Sequence, residues 1–270
     1  MAPVQPLFAP DAPAASVDSI LRSNFRPTGE VDLGMNILLV KTAGKLIMID
    51  SGYGSYGGQA SGWLPQSLTD AGFALTDITD IVVTHAHPDH IGGLLTTSGQ
   101  FTFPNATIHM SALEHRFWTA DKPDLSKSKF SDKALLEKII GIIHTTLAGI
   151  KPKLQLFDYN TTLLGCIKPE LAPGHTPGHT LVHVSSGNET LVHVADLVHS
   201  DVLLFPHPEW GFFGDSNFEQ AAATRSKVLA ALANGKTKVF AGHLAWPGLG
   251  HVRAKDQAFE WVPEVYAYPV

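Results

Sequence analysis

The sequence predicts an α/β protein in which two sheets are sandwiched between helices. Three observations carry this expectation. Strand-like apolar runs alternate with amphipathic helical stretches along the 270 residues. A unit of strand, glycine turn, strand and terminal aspartate occurs twice, over residues 37–50 and again over 181–196. Histidines and aspartates gather where predicted strands give way to loops, the usual place for residues that a rigid scaffold lends to a site.

Each element has its own signal. Residues 36–40 and 45–50 flank Thr42-Ala43-Gly44, which reads as a hairpin turn. Residues 61–71 place Trp63, Leu64, Leu68 and Ala71 on one helical face, with Gly72 at the stop. Residues 81–84 and 106–110 are strands, and Ser111-Ala112-Leu113-Glu114 reads as the capping-box start of a short helix ending near Trp118. A polar, irregular stretch over 121–131 precedes a helix over 132–148 that stacks Leu135, Leu136, Ile139, Ile140, Ile143 and Leu147. Residues 190–195 and 238–242 are apolar strands. Phe218, Ala221, Ala222, Val228, Leu229 and Leu232 form the clearest helical stripe, closed by Asn234-Gly235. The whole of 1–270 is expected to be one domain, with an irregular N-terminal segment over 1–30.

Composition narrows the partners. Hydrophobic content of 44% supports a sizeable core. Net charge is −6 and no Lys/Arg block stands out, so nucleic acid is a poor candidate partner. No stretch approaches the ~18 apolar residues of a membrane span, so no membrane partner is expected. The single cysteine, Cys166, cannot form an internal disulfide and reads as a packing residue. Residues 1–16 hold four prolines and five alanines with neither a basic start nor an apolar core, unlike a signal peptide. Localisation therefore stays open between a periplasmic or secreted mature form and a cytoplasmic one. A homodimer is compatible with all of this.

The chemistry is concentrated in His85-Ala86-His87-Pro88-Asp89-His90, directly after strand 81–84. Three imidazoles and a carboxylate within six residues are enough ligand chemistry for a dinuclear metal centre. A strand could not aim all four together, whereas a turn opened by Pro88 and closed by Gly92-Gly93 can. Further donors lie at wide spacing: Pro173-Gly174-His175-Thr176-Pro177-Gly178-His179, then Asp196 at the end of 190–195, then His243 after 238–242.

His-X-His-X-Asp-His, Pro-Gly-His-Thr-Pro-Gly-His, a strand-terminal Asp and Gly-His, in that order over roughly residues 36–252, resemble the metallo-β-lactamase superfamily. The resemblance implies a four-layer αβ/βα sandwich whose pseudo-twofold accounts for the internal echo. It implies that His85, His87 and His175 hold one divalent metal, that Asp89, His90 and His243 hold the other, and that Asp196 bridges them. Zinc is the first choice, with Mn, Fe or Co as options. A metal-bridging hydroxide would be the nucleophile, and Asp89 would shuttle the proton to the leaving group. Asp50, the echo's counterpart of Asp196, and His179 would support the ligands from behind.

Within the superfamily, Asp196 argues against a dedicated β-lactamase, and His87 against the redox diiron members. The absence of a Lys/Arg-rich insert argues against the ribonuclease type. Residues 241–263, together with 196–209 and 221–225, look like the methyl parathion hydrolase branch. That branch hydrolyses lactones, aryl esters and in some cases organophosphate triesters, so a small-molecule substrate of those classes is expected. Relatives in it generally carry one or two strands before the segment resembling 6–25, and those strands are not expected in this sequence. A thioesterase of the glyoxalase II type would use nearly the same ligands, and a non-catalytic metal-binding module ranks lower. Candidate pocket residues are Tyr53, Tyr56, Trp118, Leu203, Phe205, Phe212, Phe213 and Trp246, with core packing the competing reading for each. His199, three residues after Asp196, occupies the offset at which lactonases of this fold carry a substrate-contacting tyrosine, so it is expected to line the pocket and contact substrate.

Overall fold

The computed structural model describes residues 2–31 and 33–265. In chain order its elements are β1 (Ala2–Pro3), α1 (Val4–Leu7), α2 (Ala14–Ser23), β2 (Glu30–Val31), β3 (Leu38–Thr42), β4 (Lys45–Ile49), α3 (Leu64–Asp70), β5 (Asp80–Val82), α4 (Pro88–Ile91), β6 (Thr107–Ser111), α5 (Ala112–Trp118), α6 (Lys133–Ile150) and β7 (Leu154–Phe157). There follow β8 (Ile167–Leu171), β9 (Thr180–Ser186), β10 (Glu189–His193), α7 (Phe218–Gly235), β11 (Lys238–Phe240), β12 (Leu249–Lys255) and β13 (Ala258–Pro263).

Among the described residues two large sheets form, ordered β3-β4-β5-β6-β7 and β13-β12-β11-β10-β9-β8, beside a two-stranded antiparallel β1–β2 pair. Period-two alternation decides what each strand buries where. Ile47 and Ile49 of β4 and Val82 of β5 meet Val182 of β9 and Ile167 of β8 between the sheets. Leu46 and Met48 point the other way, with Ile81 and Ile108, toward α3 and the Ile143, Leu147 and Ile150 face of α6. Val192 and Val239 likewise meet Val228, Leu229 and Leu232 of α7. The layers are helix, sheet, sheet, helix, as the resemblance implied.

The internal echo is structural. The β3–β4 hairpin is followed by parallel β5, and the β9–β10 hairpin by parallel β11. Just past each hairpin a backbone N–H reaches the next parallel strand: Asp50 donates to Val82, and Val194 donates to Phe240. Asp50 thus matches Val194, with Asp196 two residues further on, and both aspartates lie just past corresponding strand ends at the same end of the sandwich. Thr180 N–H donates to Thr84 C=O at 3.0 Å, tying the two sheets together there.

Residues 1–30 are not simply irregular. α2 is a ten-residue helix whose Val17 and Leu21 pack with Val4, Phe8 and Leu203. Its signal is weak because two prolines bracket the approach and no cap side chain bonds its N-terminus. At α6 the expected stripe is only partly inward. Asp132 caps the helix and Ile143 and Leu147 are buried, but Leu135 in the first turn is 42% exposed. Among the described residues, no helix is long and apolar enough to cross a membrane.

Candidate metal centre

All the motif residues arrive at one end of the sandwich. His85 and His87 leave β5 in the loop toward α4, which itself carries Asp89 and His90. His175 and His179 sit in the turn between β8 and β9, Asp196 follows β10 and His243 follows β11. Pro88 occupies the first turn of α4, where its missing N–H costs nothing. Gly92 and Gly93 are required by contact rather than by φ. A Cβ on Gly93 would lie 2.0 Å from Ser51 C=O, and one on Gly92 would lie 2.4 Å from Tyr53 C=O. The glycine pair lets the loop after β4 close against the ligand helix.

Two donor sets form, each with its ligand atoms within 4.8 Å of one another: His85, His87, His175 and Asp196, and Asp89, His90, Asp196 and His243. In the first, His87 Nδ1 lies 3.1 Å from His85 Nε2 and 2.9 Å from His175 Nε2, which are 3.2 Å apart. Asp196 Oδ2 is 3.7 Å from His85 Nε2 and 3.2 Å from His175 Nε2. Its other oxygen faces the second set, with Oδ1 3.0 Å from His90 Nε2 and 3.3 Å from His243 Nε2. Asp89 Oδ2 completes that set at 3.6 and 3.5 Å from the same two nitrogens.

The groups behind the rings fix which nitrogen points inward. His90 Nδ1–H donates to Asp50 Oδ2 at 2.8 Å. Thr84 Oγ1–H donates to the same oxygen at 2.8 Å, which leaves Thr84 Oγ1 to accept from His85 Nδ1–H at 3.1 Å. Asp50 thus orients one imidazole of each set. His243 Nδ1–H donates to Gly34 C=O at 2.9 Å, and His175 Nδ1–H donates to Asp215 Oδ1 at 2.8 Å. His179 accepts the Asp196 backbone N–H on Nε2 at 3.1 Å and donates from Nδ1 to Ala172 C=O, so it holds the carboxylate-bearing backbone rather than joining either set.

With their back nitrogens protonated, four Nε2 lone pairs converge on Asp196. His90 Nε2, His243 Nε2 and Asp196 Oδ1 are buried with no hydrogen-bond partner among the described residues. A buried polar atom without a partner costs about 1–3 kcal/mol, and a cation between them removes that cost. Tetrahedral zinc with bonds of about 2.0–2.1 Å places its ligands about 3.3 Å apart, close to the separations seen here. The donors therefore fit two divalent ions.

Charge agrees. Burial and neighbouring imidazoles push His85 and His87 well below the usual histidine range, leaving them neutral. Burial acts the same way on His90, His175 and His243, but Asp196 and its fellow carboxylates outweigh it and raise all three, His175 to about 9. Burial disfavours the Asp196 anion as well, yet His90 and His243 hold its pKa well below the carboxylate range. A pair of divalent ions would replace the positive charge that protons otherwise supply.

Several residues behave differently from expectation. His199 does not line an open pocket. Its side chain is 1% exposed, its Nε2–H donates to Asp196 Oδ2 at 3.0 Å, and its ring stacks on Phe212 at 3.9 Å. Trp118 is fully buried beneath the site, its ring 5.7 Å from that of His87. Leu203 and Phe205 turn back into the protein because residues 201–206 form tight turns. Leu203 packs on the N-terminal segment and Phe205 packs near Trp261. Phe213 stacks on Phe130 at 4.5 Å, while Tyr56 and Trp246 are exposed at 38% and 74%.

Phe212, a pocket-wall candidate in the sequence, instead stacks on the buried His199 ring. Sequence reasoning missed two groups. Asp215 offered no local signal, since its partner His175 lies 40 residues away. Arg225, which donates to Asp215 Oδ2 at 3.1 Å and to the Leu197 and Pro208 carbonyls at 2.7 Å, did offer one. It occupies a stripe position between Ala221 and Val228, where a charged residue faces the core. The Arg225 guanidinium, with His175, brings the Asp215 carboxyl down to about 2 against the effect of burial.

The family model for the metallo-beta-lactamase superfamily matches residues 32–243, and the chain belongs to that superfamily. Two groups of His and Asp side chains able to hold metal ions lie in that fold. Among solved structures it is similar to AidC, a dizinc quorum-quenching lactonase solved with a product, N-hexanoyl-L-homoserine. The identity is 47%, the TM-score 0.94, and the match covers 97% of this chain and 90% of that one. It is also similar to hydrolase AbOPH of the beta lactamase superfamily, at 30% identity and TM-score 0.89, covering 99% and 91%. The probable metallo-hydrolase Rv2300c of Mycobacterium tuberculosis (strain ATCC 25618 / H37Rv) is 26% identical over 186 residues, 60% of this chain and 56% of its own length. The chain spans only 31% to 56% of the length of the curated relatives it matches.

Proposed function

We propose that the protein is a dinuclear metal-dependent lactonase. His85, His87 and His175 would hold one divalent ion, Asp89, His90 and His243 the other, with Asp196 shared between the two sets. The observation that carries this reading is Asp196, whose two oxygens face separate imidazole sets at 3.0–3.7 Å. Likeness to a dizinc lactonase over nearly the whole chain supports zinc, and it supports N-acyl-L-homoserine lactones as the leading substrate class. Mn, Fe and Co suit the same donors. Aryl esters and organophosphate triesters are secondary substrates of the same chemistry.

The bound ions would supply hydroxide near neutral pH and polarise the carbonyl or phosphoryl oxygen. The chain's own residues set the stage. Asp50, Asp215 and the Gly34 carbonyl hold the Nδ1 protons of His90, His175 and His243, so it is Nε2 of each ring that faces the metal position, and the proton there would be displaced on metal binding. His199 donates to Asp196 Oδ2 and keeps the bridging carboxylate from rotating. Asp89 is the more open carboxylate, with its side chain 22% exposed against 3% for Asp196. Its Oδ2 faces His90 and His243, leaving Oδ1 to carry a proton to the leaving alkoxide.

The test is a panel of N-hexanoyl-L-homoserine lactone, dihydrocoumarin, p-nitrophenyl acetate, paraoxon, a cephalosporin and lactoylglutathione. The lactones should give the highest kcat/KM. A cephalosporin or lactoylglutathione that outranks every lactone would sink the lactonase reading.

A further inference from the structure

We propose that Glu114 is a positioning residue that locks the His85–His87 loop to the His175 turn, and so sets the metal affinity of the first donor set. The proposal rests on the dinuclear reading above. Glu114 is 0% exposed, and four donors surround its carboxylate. Oε1 accepts from Ala86 N–H at 2.9 Å and from Trp118 Nε1–H at 2.7 Å. Oε2 accepts from Thr176 Oγ1–H at 2.7 Å and from Gly178 N–H at 2.9 Å.

The identity of the donors matters. Ala86 stands between His85 and His87, and Thr176 follows His175. Trp118, oriented by the same carboxylate, packs its ring edge-on near His87. One side chain therefore spans the two chain segments that deliver all three imidazoles of the first set. The turn is pressed close against α5 to make this possible. A Cβ at Gly178 would lie 2.4 Å from the Glu114 backbone nitrogen. Of these four bonds, none goes to Asp89, His90 or His243.

A helix-capping role would not require this arrangement. The capping-box expectation was that the Glu114 carboxylate would turn back to Ser111 N–H. Instead only half the box forms, with Ser111 Oγ accepting Glu114 N–H at 3.0 Å. The carboxylate is sent inward, where burial raises its pKa despite the four donors. Burying a carboxylate is costly unless every lone pair is used, and here both oxygens are used on ligand-bearing segments and the tryptophan under them. Each oxygen faces two donors, so a glutamine could not substitute. Its NH2 would face the Ala86 and Trp118 N–H groups in one orientation and the Gly178 N–H in the other. Of the four groups only the Thr176 hydroxyl could turn to accept from it.

The experiment titrates zinc into chelator-stripped protein against a competing colorimetric chelator and follows cobalt(II) absorption in parallel. Wild type should bind two equivalents. In Glu114→Gln one equivalent should weaken by about 10–100-fold, the range for losing a group that orients metal ligands, while the other keeps its wild-type affinity. Thr176→Val removes a single donor, preserves the side-chain shape and should shift the same equivalent by less. Asp132→Ala, which uncaps α6 far from the carboxylate, should lower Tm and leave both affinities alone. The proposal is overturned if Glu114→Gln and Thr176→Val keep both wild-type affinities, or if they weaken both equivalents alike. Should Glu114→Gln fail to fold, Thr176→Val decides between those outcomes. A wild type that does not bind two equivalents would overturn the dinuclear reading instead.

Discussion

Replacing Asp196 with alanine should lower lactone kcat/KM by at least about a hundredfold, beyond the usual cost of losing a group behind a ligand. Bound metal should fall below two per chain. The reason is the position of its two oxygens. Oδ2 serves His85, His175 and His199, and Oδ1 serves His90 and His243, all within 3.7 Å. Without the carboxylate each donor set loses an oxygen and five imidazoles lose their shared counter-charge. Asparagine is the sharper variant. It keeps one oxygen and presents NH2 on the other side, so it should retain metal in one set only. Metal content and kcat/KM measured on the same samples check both variants, and two bound ions with unchanged turnover in either would contradict the bridging role.

Asp215→Ala should be the most destabilising single change near the site, by about 3–5 kcal/mol, the cost of stripping one partner from a buried ion pair. Arg225 is 1% exposed and would keep its two carbonyl acceptors but lose the one carboxylate that pairs with it among the described residues. His175 would also lose the acceptor that fixes its Nδ1 proton. The two effects separate in a double variant. Asp215→Leu with Arg225→Met replaces the pair by apolar side chains and should recover much of the lost stability, yet His175 would remain unoriented and zinc affinity should stay low. Denaturant unfolding of the metal-free protein reads the first effect, and zinc competition reads the second. If stability and affinity recovered together, Asp215 would be serving the fold alone.

The sequence made the ligand chemistry legible because metal centres demand particular donors at particular strand ends. His87, Asp89, His175 and His243 each stand beside a glycine or proline, His85, His90 and Asp196 follow the same strand ends, and the structure brings all seven to one place. The layered fold was legible from period-two strands and two amphipathic helices. What stayed hidden was what depends on tertiary direction. Leu203 and Phe205 look like pocket residues by their nearness to Asp196, but the tight turns after Ser200 send them into the core. His199 faces Asp196 rather than solvent for the same reason. Glu114 satisfied a local capping pattern so well that its long-range bonds, 28 to 64 residues away, had no sequence trace. Arg225 was readable in principle, as a cation in the apolar register of α7, although its partner Asp215 was not.

The central claim is that catalysis runs through two divalent ions held by these residues. The most direct measurement is elemental analysis of the purified protein, with lactone hydrolysis assayed before chelation, after it, and after zinc is restored. About two ions per chain are expected, with activity lost on stripping and regained in proportion to the metal returned. Protein free of metal that still hydrolyses the lactone at the full rate would contradict the account.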